Sequence, residues 1–205
     1  MNEWATSAHA GAYLGRADVA HRSEGEAVLY ELLPPRVDRI LDLGTGDGRL
    51  LARVRAQRPG AGGVAVDFSP TMLAVARERF AADPEVAVLE HDLDEPLPPS
   101  LGRFDLVISG FAIHHCSHDR KRALYREIFE VLEPGGLFAN LEHVASPTER
   151  LHREFYGGIE AGEDPSNQLA LVWHQLQWLE DIGFDDVDCF WKWRELALFA
   201  GRKPR

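Results

Sequence analysis

Two cysteines in 205 residues, Cys116 and Cys189, are too few and too far apart for a disulfide framework, and without a CxxC spacing they make no zinc knuckle. No segment approaches the roughly 20 consecutive apolar residues that span a bilayer, and the opening MNEWATSAHAG has no basic stretch leading into a hydrophobic one. Basic residues are in deficit, 22 Lys and Arg against 33 Asp and Glu, so a polyanion would approach against a formal charge of -11. Nucleic acid and anionic membrane are therefore poor partners. The expectation is a soluble, unexported chain of a reducing cytoplasm, acting on a small molecule, with its oligomeric state left open. No repeat, low-complexity tract or linker divides it. With 45% hydrophobic residues it has material for one well-buried core and is short for two, so residues 1–205 read as a single domain.

What is present is an alternation of short apolar runs with amphipathic segments, the pattern of a layered α/β domain with a mainly parallel sheet. Strands are expected at 39–43, 63–66, 86–90, 104–109 and 137–143, then at 188–193 and 196–200. The last two are joined by a couple of residues, too few for a parallel crossover of roughly a dozen, so they should pair antiparallel as a hairpin. Helices are expected at 24–33, 48–57, from Pro70 onward with Ser69 as its cap, at 120–132 and at 168–182. Residues 1–36 should form a helical cap, and residues 146–167 a helix plus loop inserted as a lid over the sheet.

The most informative stretch is ILDLGTGDGRL, residues 40–50, where a buried strand ends in Asp42 and breaks into Gly44, Gly46 and Gly48 before a helix. Glycines there let the chain turn tightly and bring bare backbone to a ligand at the edge of the sheet. A dinucleotide fingerprint GxGxxG would need a third glycine where Arg49 stands, and no lysine followed by serine or threonine completes a phosphate loop. About 20 residues further on, Asp67 ends the next strand, where a carboxylate can accept the hydroxyls of a ribose. Asp92, in LEHDLDEPLP, can accept an amine proton from adenine. Together they describe a site for an adenosine without phosphate.

ILDLGTGDG, the acid in AVDFSP, EHDLDEPLP, FDLVISGFAIHH and VLEPGGLF occur in an order that resembles the class I S-adenosylmethionine-dependent methyltransferases, over roughly residues 37–201, and among them the small-molecule enzymes. The resemblance implies a Rossmann-like, doubly wound seven-stranded sheet and S-adenosylmethionine as cofactor. It implies that Gly44 and Gly46 lie against the methionine portion, with Asp42 supporting the turn or reaching the amino group through water. It places Asp67 at the ribose, Asp92 and the Leu93 backbone at the adenine, Phe68 and Met72 along the adenosine, and Ser109 and Gly110 beside the methionine ammonium. For Asp42 the plainer reading is a helix cap, and for Phe68 and Met72 it is core packing.

Methyl transfer needs chiefly that two reactants be held in line in a dry pocket, so no catalytic triad is required of the sequence. A histidine can take a proton from the acceptor, and His115 and His143, then His114, stand at the ends of the fourth and fifth strands. The plainer reading is that they only shape the pocket. A metal in HHCSH, residues 114–118, is not expected, because His114 and His115 at a strand end should point apart. Tyr13 is a candidate for the acceptor and Arg22 for the methionine carboxylate. Arg150, Arg153, Phe155 and Tyr156 in the lid, with Arg153 and Tyr156 as acceptor contacts, fit an aromatic or carboxylate-bearing acceptor; a solvated helix with buried aromatics explains them as well. Trp173, Trp178, Trp191 and Trp193 read as core and hairpin packing. The rival functions are a protein that binds the sulfonium cofactor for other chemistry or for binding alone, and an NAD-dependent oxidoreductase, which Arg49 disfavours.

Overall fold

The structure is a computed structural model and describes residues 21–156 and 164–205. In chain order the elements are α1 (Arg22–Leu32), β1 (Arg39–Leu43), α2 (Arg49–Gln57), β2 (Gly62–Asp67), α3 (Pro70–Arg79), β3 (Val86–Glu90), β4 (Phe104–Gly110), α4 (His118–Val131), β5 (Leu132–His143), α5 (Glu149–Tyr156), α6 (Val172–Ile182), β6 (Asp185–Trp193) and β7 (Leu196–Arg202). The strands form one sheet in the order β3-β2-β1-β4-β5-β7-β6. β1 pairs in parallel with both β2 and β4, whereas β7 runs antiparallel to β5 and to β6. The doubly wound sheet and the terminal hairpin expected from the sequence are both present.

Both faces of the central strands are covered, which is why they read as continuous apolar runs. Alternate residues divide between two layers. Ile40, Leu106, Ile108 and Leu198 face Leu29 of α1 and Leu51 and Val54 of α2, while Leu41, Leu43, Val107, Phe138 and Phe199 face Tyr125 and Ile128 of α4 and Leu179 of α6. The chain winds outward from β1 through β2 to β3, then returns to lay β4 on the other side of β1. The crevice for a ligand in such a sheet opens where that order reverses, beyond the carboxyl ends of β1 and β4.

Three local expectations change. Ser69 stands at the N-cap of α3 with Pro70 behind it, but its hydroxyl makes no capping bond; its backbone N–H instead donates to the Asp67 carboxylate. The helix expected from Gln168 starts only at Val172. The preceding amides are committed elsewhere, Gln168 N–H to the His114 carbonyl at 2.9 Å, while the Ala170 carbonyl takes the Ala145 N–H at 3.0 Å, so tertiary bonds hold this segment extended. Trp173 is 58% exposed and so is no core residue, whereas Trp178 is buried, Trp191 packs on Gly25 and Trp193 stacks on His21. Among the described residues no helix is long and apolar enough to cross a membrane.

Candidate functional site

The turn after β1 is built from left-handed backbone, with φ of 67° at Gly44, 57° at Gly46 and 79° at Gly48. A Cβ on Gly44 would lie 2.1 Å from the Ala112 methyl, so the turn is pressed against the loop that follows β4. Among the described residues, a Cβ on Gly46 would meet nothing within 4 Å. Gly46 is therefore required by its conformation, and its backbone is bare of neighbouring side chains among the described residues.

Two buried acids flank this opening. Asp67 accepts the Gly46 N–H through Oδ2 and the Ser69 N–H through Oδ1, each at 2.9 Å. The side chain thus braces the turn, and each oxygen retains a lone pair for a hydroxyl. Burial raises its carboxyl pKa and the charge of Asp92 adds to this, against the Ser69, Gly46 and Phe68 amides. Asp42 accepts the Thr45 hydroxyl at 2.6 Å through Oδ2, while its Oδ1 is buried and has no hydrogen-bond partner among the described residues. Burial pushes the Asp42 carboxyl up to about 7; Asp67 pushes the same way, and Thr45, Arg22 and the Leu51 amide oppose it. Asp42 does not cap α2, whose N-cap is Gly48. An orphaned carboxylate oxygen beside a second buried acid suits a cationic ligand and repels a pyrophosphate.

The other cofactor candidates divide. Arg22 opens α1, lies over the Phe111 ring at 5.1 Å, and brings Nη2 within 3.7 Å of a Cβ placed on Gly110. Its Nε donates to Glu26 at 2.7 Å; that buried carboxylate also holds Arg49 at 2.5 Å and Arg53 at 2.6 Å. Arg49, in place of a third glycine, thereby ties α2 to α1. The Ser109 hydroxyl donates to the Leu43 carbonyl at 2.8 Å, joining β4 to β1 at the switch point. Asp92 is exposed and accepts the Asp94 N–H at 3.0 Å. Leu93 is buried beside the turn with its carbonyl engaged by Arg120. Phe68 is half-buried, and Met72, 2% exposed, belongs to the core.

At the ends of β4 and β5 the three histidines converge. His114 and His115 occupy a single 3-10 turn, Ile113–His115, rather than a strand end, so their rings do not point apart: the centroids are 4.0 Å from each other, and His143 lies 5.2 Å from His114. Glu142 organises the group. It accepts from His114 Nδ1 at 2.6 Å, from the His114 N–H at 2.9 Å and from the His143 N–H at 2.8 Å. Burial alone would raise its carboxyl; attraction to His114 and the neighbouring donors outweighs that and leaves it below the usual range. Burial, then repulsion from His114, takes His115 and His143 down to about 4, so both rings are neutral at physiological pH. Phe111, in a left-handed conformation with φ 58°, lies 5.0 Å from His143 and bridges this group to Arg22.

Buried Lys121 stitches the region together, its ammonium donating to the carbonyls of His114 at 3.2 Å, Gln168 at 2.7 Å and Cys116. Glu142, Lys121 and Glu26 were not singled out from the sequence. The signals were there: a carboxylate inside the apolar strand LFANLEH, and a lysine in register with the apolar face 124, 125 and 128 of α4. The Cys116 thiol is pushed by burial up to about 12 and is no nucleophile. Among the described residues no group of three or more His, Cys, Asp or Glu side chains is arranged to hold a metal ion.

The lid candidates are not drawn into this group. Arg153 is exposed on α5 and paired with Glu149 at 3.7 Å, and Arg150 pairs with Glu154 at 3.0 Å, the solvated-helix arrangement. Tyr156 closes α5, but its side chain, like the whole of Tyr13, lies outside the described residues.

A family described as Methyltransferase domain matches residues 40–136. A demethylmenaquinone methyltransferase of Thermus thermophilus is 39% identical over 133 residues, covering 64% of this chain and 57% of that protein. A malonyl-[acyl-carrier protein] O-methyltransferase of a Marinomonas species is 35% identical over 122 residues, 58% of this chain and 44% of that protein. The chain thus spans about half the length of these curated relatives. An O-methyltransferase family protein from Burkholderia thailandensis shares the fold with a TM-score of 0.73 at 20% identity, covering 90% of this chain and 56% of that one. The matched domain, the relatives and the sheet order agree with the acids around the glycine turn: over residues 40–136 the chain is similar to a methyltransferase domain, and its sheet has the fold of the O-methyltransferase family protein.

Proposed function

We propose that this chain transfers a methyl group from S-adenosylmethionine to a small-molecule acceptor. The observation that carries the reading is the pairing, among the described residues, of a bare Gly46 backbone with two buried acids, Asp42 and Asp67, of which Asp42 has an oxygen without a hydrogen-bond partner. Asp67 would hold the ribose hydroxyls and Asp92 the adenine amine. Asp42 and the carbonyls around Ser109 and Gly110 would face the ammonium, and Arg22 the carboxylate. When bound, the cofactor supplies an activated methyl group whose bond pair stays with sulfur as the carbon passes to an acceptor lone pair. The protein's part is to orient the acceptor against it, to exclude water, and to receive a proton where the acceptor carries one. Neutral His115 and His143, at the same edge of the sheet, serve that end, with His114 fixed behind them by Glu142.

The relatives are named for methylation of demethylmenaquinone and of malonyl-acyl carrier protein, and both names support a small organic acceptor group. Calorimetry with S-adenosylhomocysteine and with NAD tests the reading. Saturable binding of S-adenosylhomocysteine, together with its release during turnover across a panel of small acceptors, is the expected result; binding of NAD alone would overturn it.

A further inference from the structure

Between β3 and β4 the chain runs HDLDEPLPPSLG, residues 91–102, in which Pro96, Pro98 and Pro99 have no N–H to donate. Side chains secure the segment instead. It starts tied to β2, the His91 N–H donating to the Asp67 backbone carbonyl at 2.9 Å. Asp92 then opens a turn: its backbone carbonyl accepts the Glu95 N–H and its carboxylate the Asp94 N–H, each at 3.0 Å. Arg120, in the first turn of α4, grips this turn from outside. Its Nε donates to the Leu93 carbonyl at 2.6 Å and its Nη2 to the Glu95 carbonyl at 2.9 Å. Glu127, one face further along α4, accepts from Nη1 at 2.5 Å and from Nη2 at 2.8 Å, and takes the Leu97 N–H at 3.0 Å. Burial alone would raise the Glu127 carboxyl; Arg120, then the Leu97 amide, outweigh it and leave it below the usual range, so the pair stays charged.

Resting on the methyl-transfer reading above, we infer that Arg120, held by Glu127, is a positioning residue that fixes the Asp92–Leu93 peptide and so makes the cofactor site select adenine over a 6-oxopurine. In a trans peptide the N–H lies opposite the C=O. With the Asp92 carbonyl turned inward to Glu95, the Leu93 N–H is directed out of the turn, next to the Asp92 carboxylate. The turn stands beside the glycines, since a Leu93 methyl lies 3.7 Å from a Cβ placed on Gly44. A donor adjoining an acceptor complements the edge of adenine, where an amine adjoins a ring nitrogen with a lone pair. A 6-oxopurine presents the reverse, an oxygen beside an N–H, and would set acceptor against acceptor and donor against donor. That rejection lasts only while the peptide cannot rotate. Released from Arg120, the turn can offer a carbonyl in place of the N–H and lose its preference.

Calorimetry on the full chain with S-adenosylhomocysteine and with S-inosylhomocysteine tests this. Wild type should prefer the adenosyl ligand by about a hundredfold or more. Arg120→Met should reduce the preference to below about tenfold, as the loss of one or two hydrogen bonds would, by weakening the adenosyl ligand and leaving the inosyl ligand within about threefold of wild type. Glu127→Gln leaves the Leu93 and Glu95 contacts in place and should reduce the preference by only about threefold; it also carries the test if Arg120→Met does not fold. Equal weakening of both ligands would make Arg120 a support of the fold and overturn the inference. So would an unchanged preference in the variants, or a wild type that binds the two ligands alike. A wild type that binds neither ligand would strike the methyl-transfer reading itself, and the inference with it.

Discussion

The two ends of the crevice are built in opposite ways. At the glycine turn the surface is made by backbone and by acids within a few residues of a strand end, and among the described residues it is short of hydrogen bonds: Asp42 Oδ1 has none and nothing lies within 4 Å of a Cβ on Gly46. At the histidine end the surface is made by side chains from distant segments, and donors crowd in: Glu142 alone accepts three, and Lys121 gives to three carbonyls. The first region carries buried acidic charge with few donors to meet it, and the second is a scaffold that fixes ring orientation. Loss of a side chain should therefore cost mainly affinity at the turn and mainly stability or orientation at the histidines.

The largest effect should come from breaking the second region. Lys121→Met leaves three carbonyls, two of them buried, without their donor and should lower unfolding free energy by about 3 kcal/mol, measured by urea denaturation. S-adenosylhomocysteine affinity at low denaturant should stay near wild type. An equal loss of affinity would mean that the two regions are one cooperative unit. Next comes Asp67→Ala, which removes the acceptor of the Gly46 and Ser69 amides and the proposed ribose contact. Its cofactor affinity should fall by about 1–3 kcal/mol, and unchanged affinity would remove Asp67 from the site.

The same contrast decides what could be read from the sequence. The turn was legible because its parts are neighbours in the chain: Asp42 and the glycines lie within a single strand-turn-helix unit, and Asp67 follows at the end of the next strand. The sheet was legible because alternating apolar runs carry its period. The histidine scaffold was not, since its bonds join residues far apart: Glu142 to His114, Lys121 to Gln168 and Ser166 to His115. Placing His114 and His115 on opposite sides assumed strand geometry, and a 3-10 turn took its place. The late start of α6 has the same origin, because periodicity does not reveal that the Gln168 and Ala170 backbone groups are bound elsewhere.

Asp42 sharpens the comparison through pH. Its carboxyl rises from 3.8 to about 7 in the folded chain, chiefly by burial. The folded state therefore keeps a proton that the unfolded state releases near 4, and the stability this confers is complete below that value and lost as pH rises through 7. Asp42→Asn should remove this slope and make the ligand-free protein more stable at pH 8, by about 1 kcal/mol. The same variant should bind S-adenosylhomocysteine more weakly, since the amide cannot meet an ammonium with full charge. Thermal melts at pH 5 and 8 and calorimetry at pH 8 check both halves. A variant less stable than wild type at pH 8 would show Asp42 to be a structural acid like Glu142.

The smallest effect is expected at Arg153, and it bears on the lid. The sequence allowed this arginine to reach a carboxylate on the acceptor, whereas its side chain is exposed and joined to Glu149 one turn earlier at 3.7 Å. Exposed pairs of this kind contribute about 0–1 kcal/mol, and salt screens them. Arg153→Ala should leave stability within about 0.5 kcal/mol of wild type and leave KM for the acceptor unchanged. The neighbouring His152 faces the hairpin, its Nδ1 3.2 Å from the buried Glu195. If α5 is anchored in this way rather than hinged over the crevice, charge on its outer face has no route to the acceptor. A KM that rises tenfold in Arg153→Ala would reverse this. It would show that α5 leaves Glu195 during the cycle and carries Arg153 to the substrate, making the histidine end a moving part rather than a scaffold.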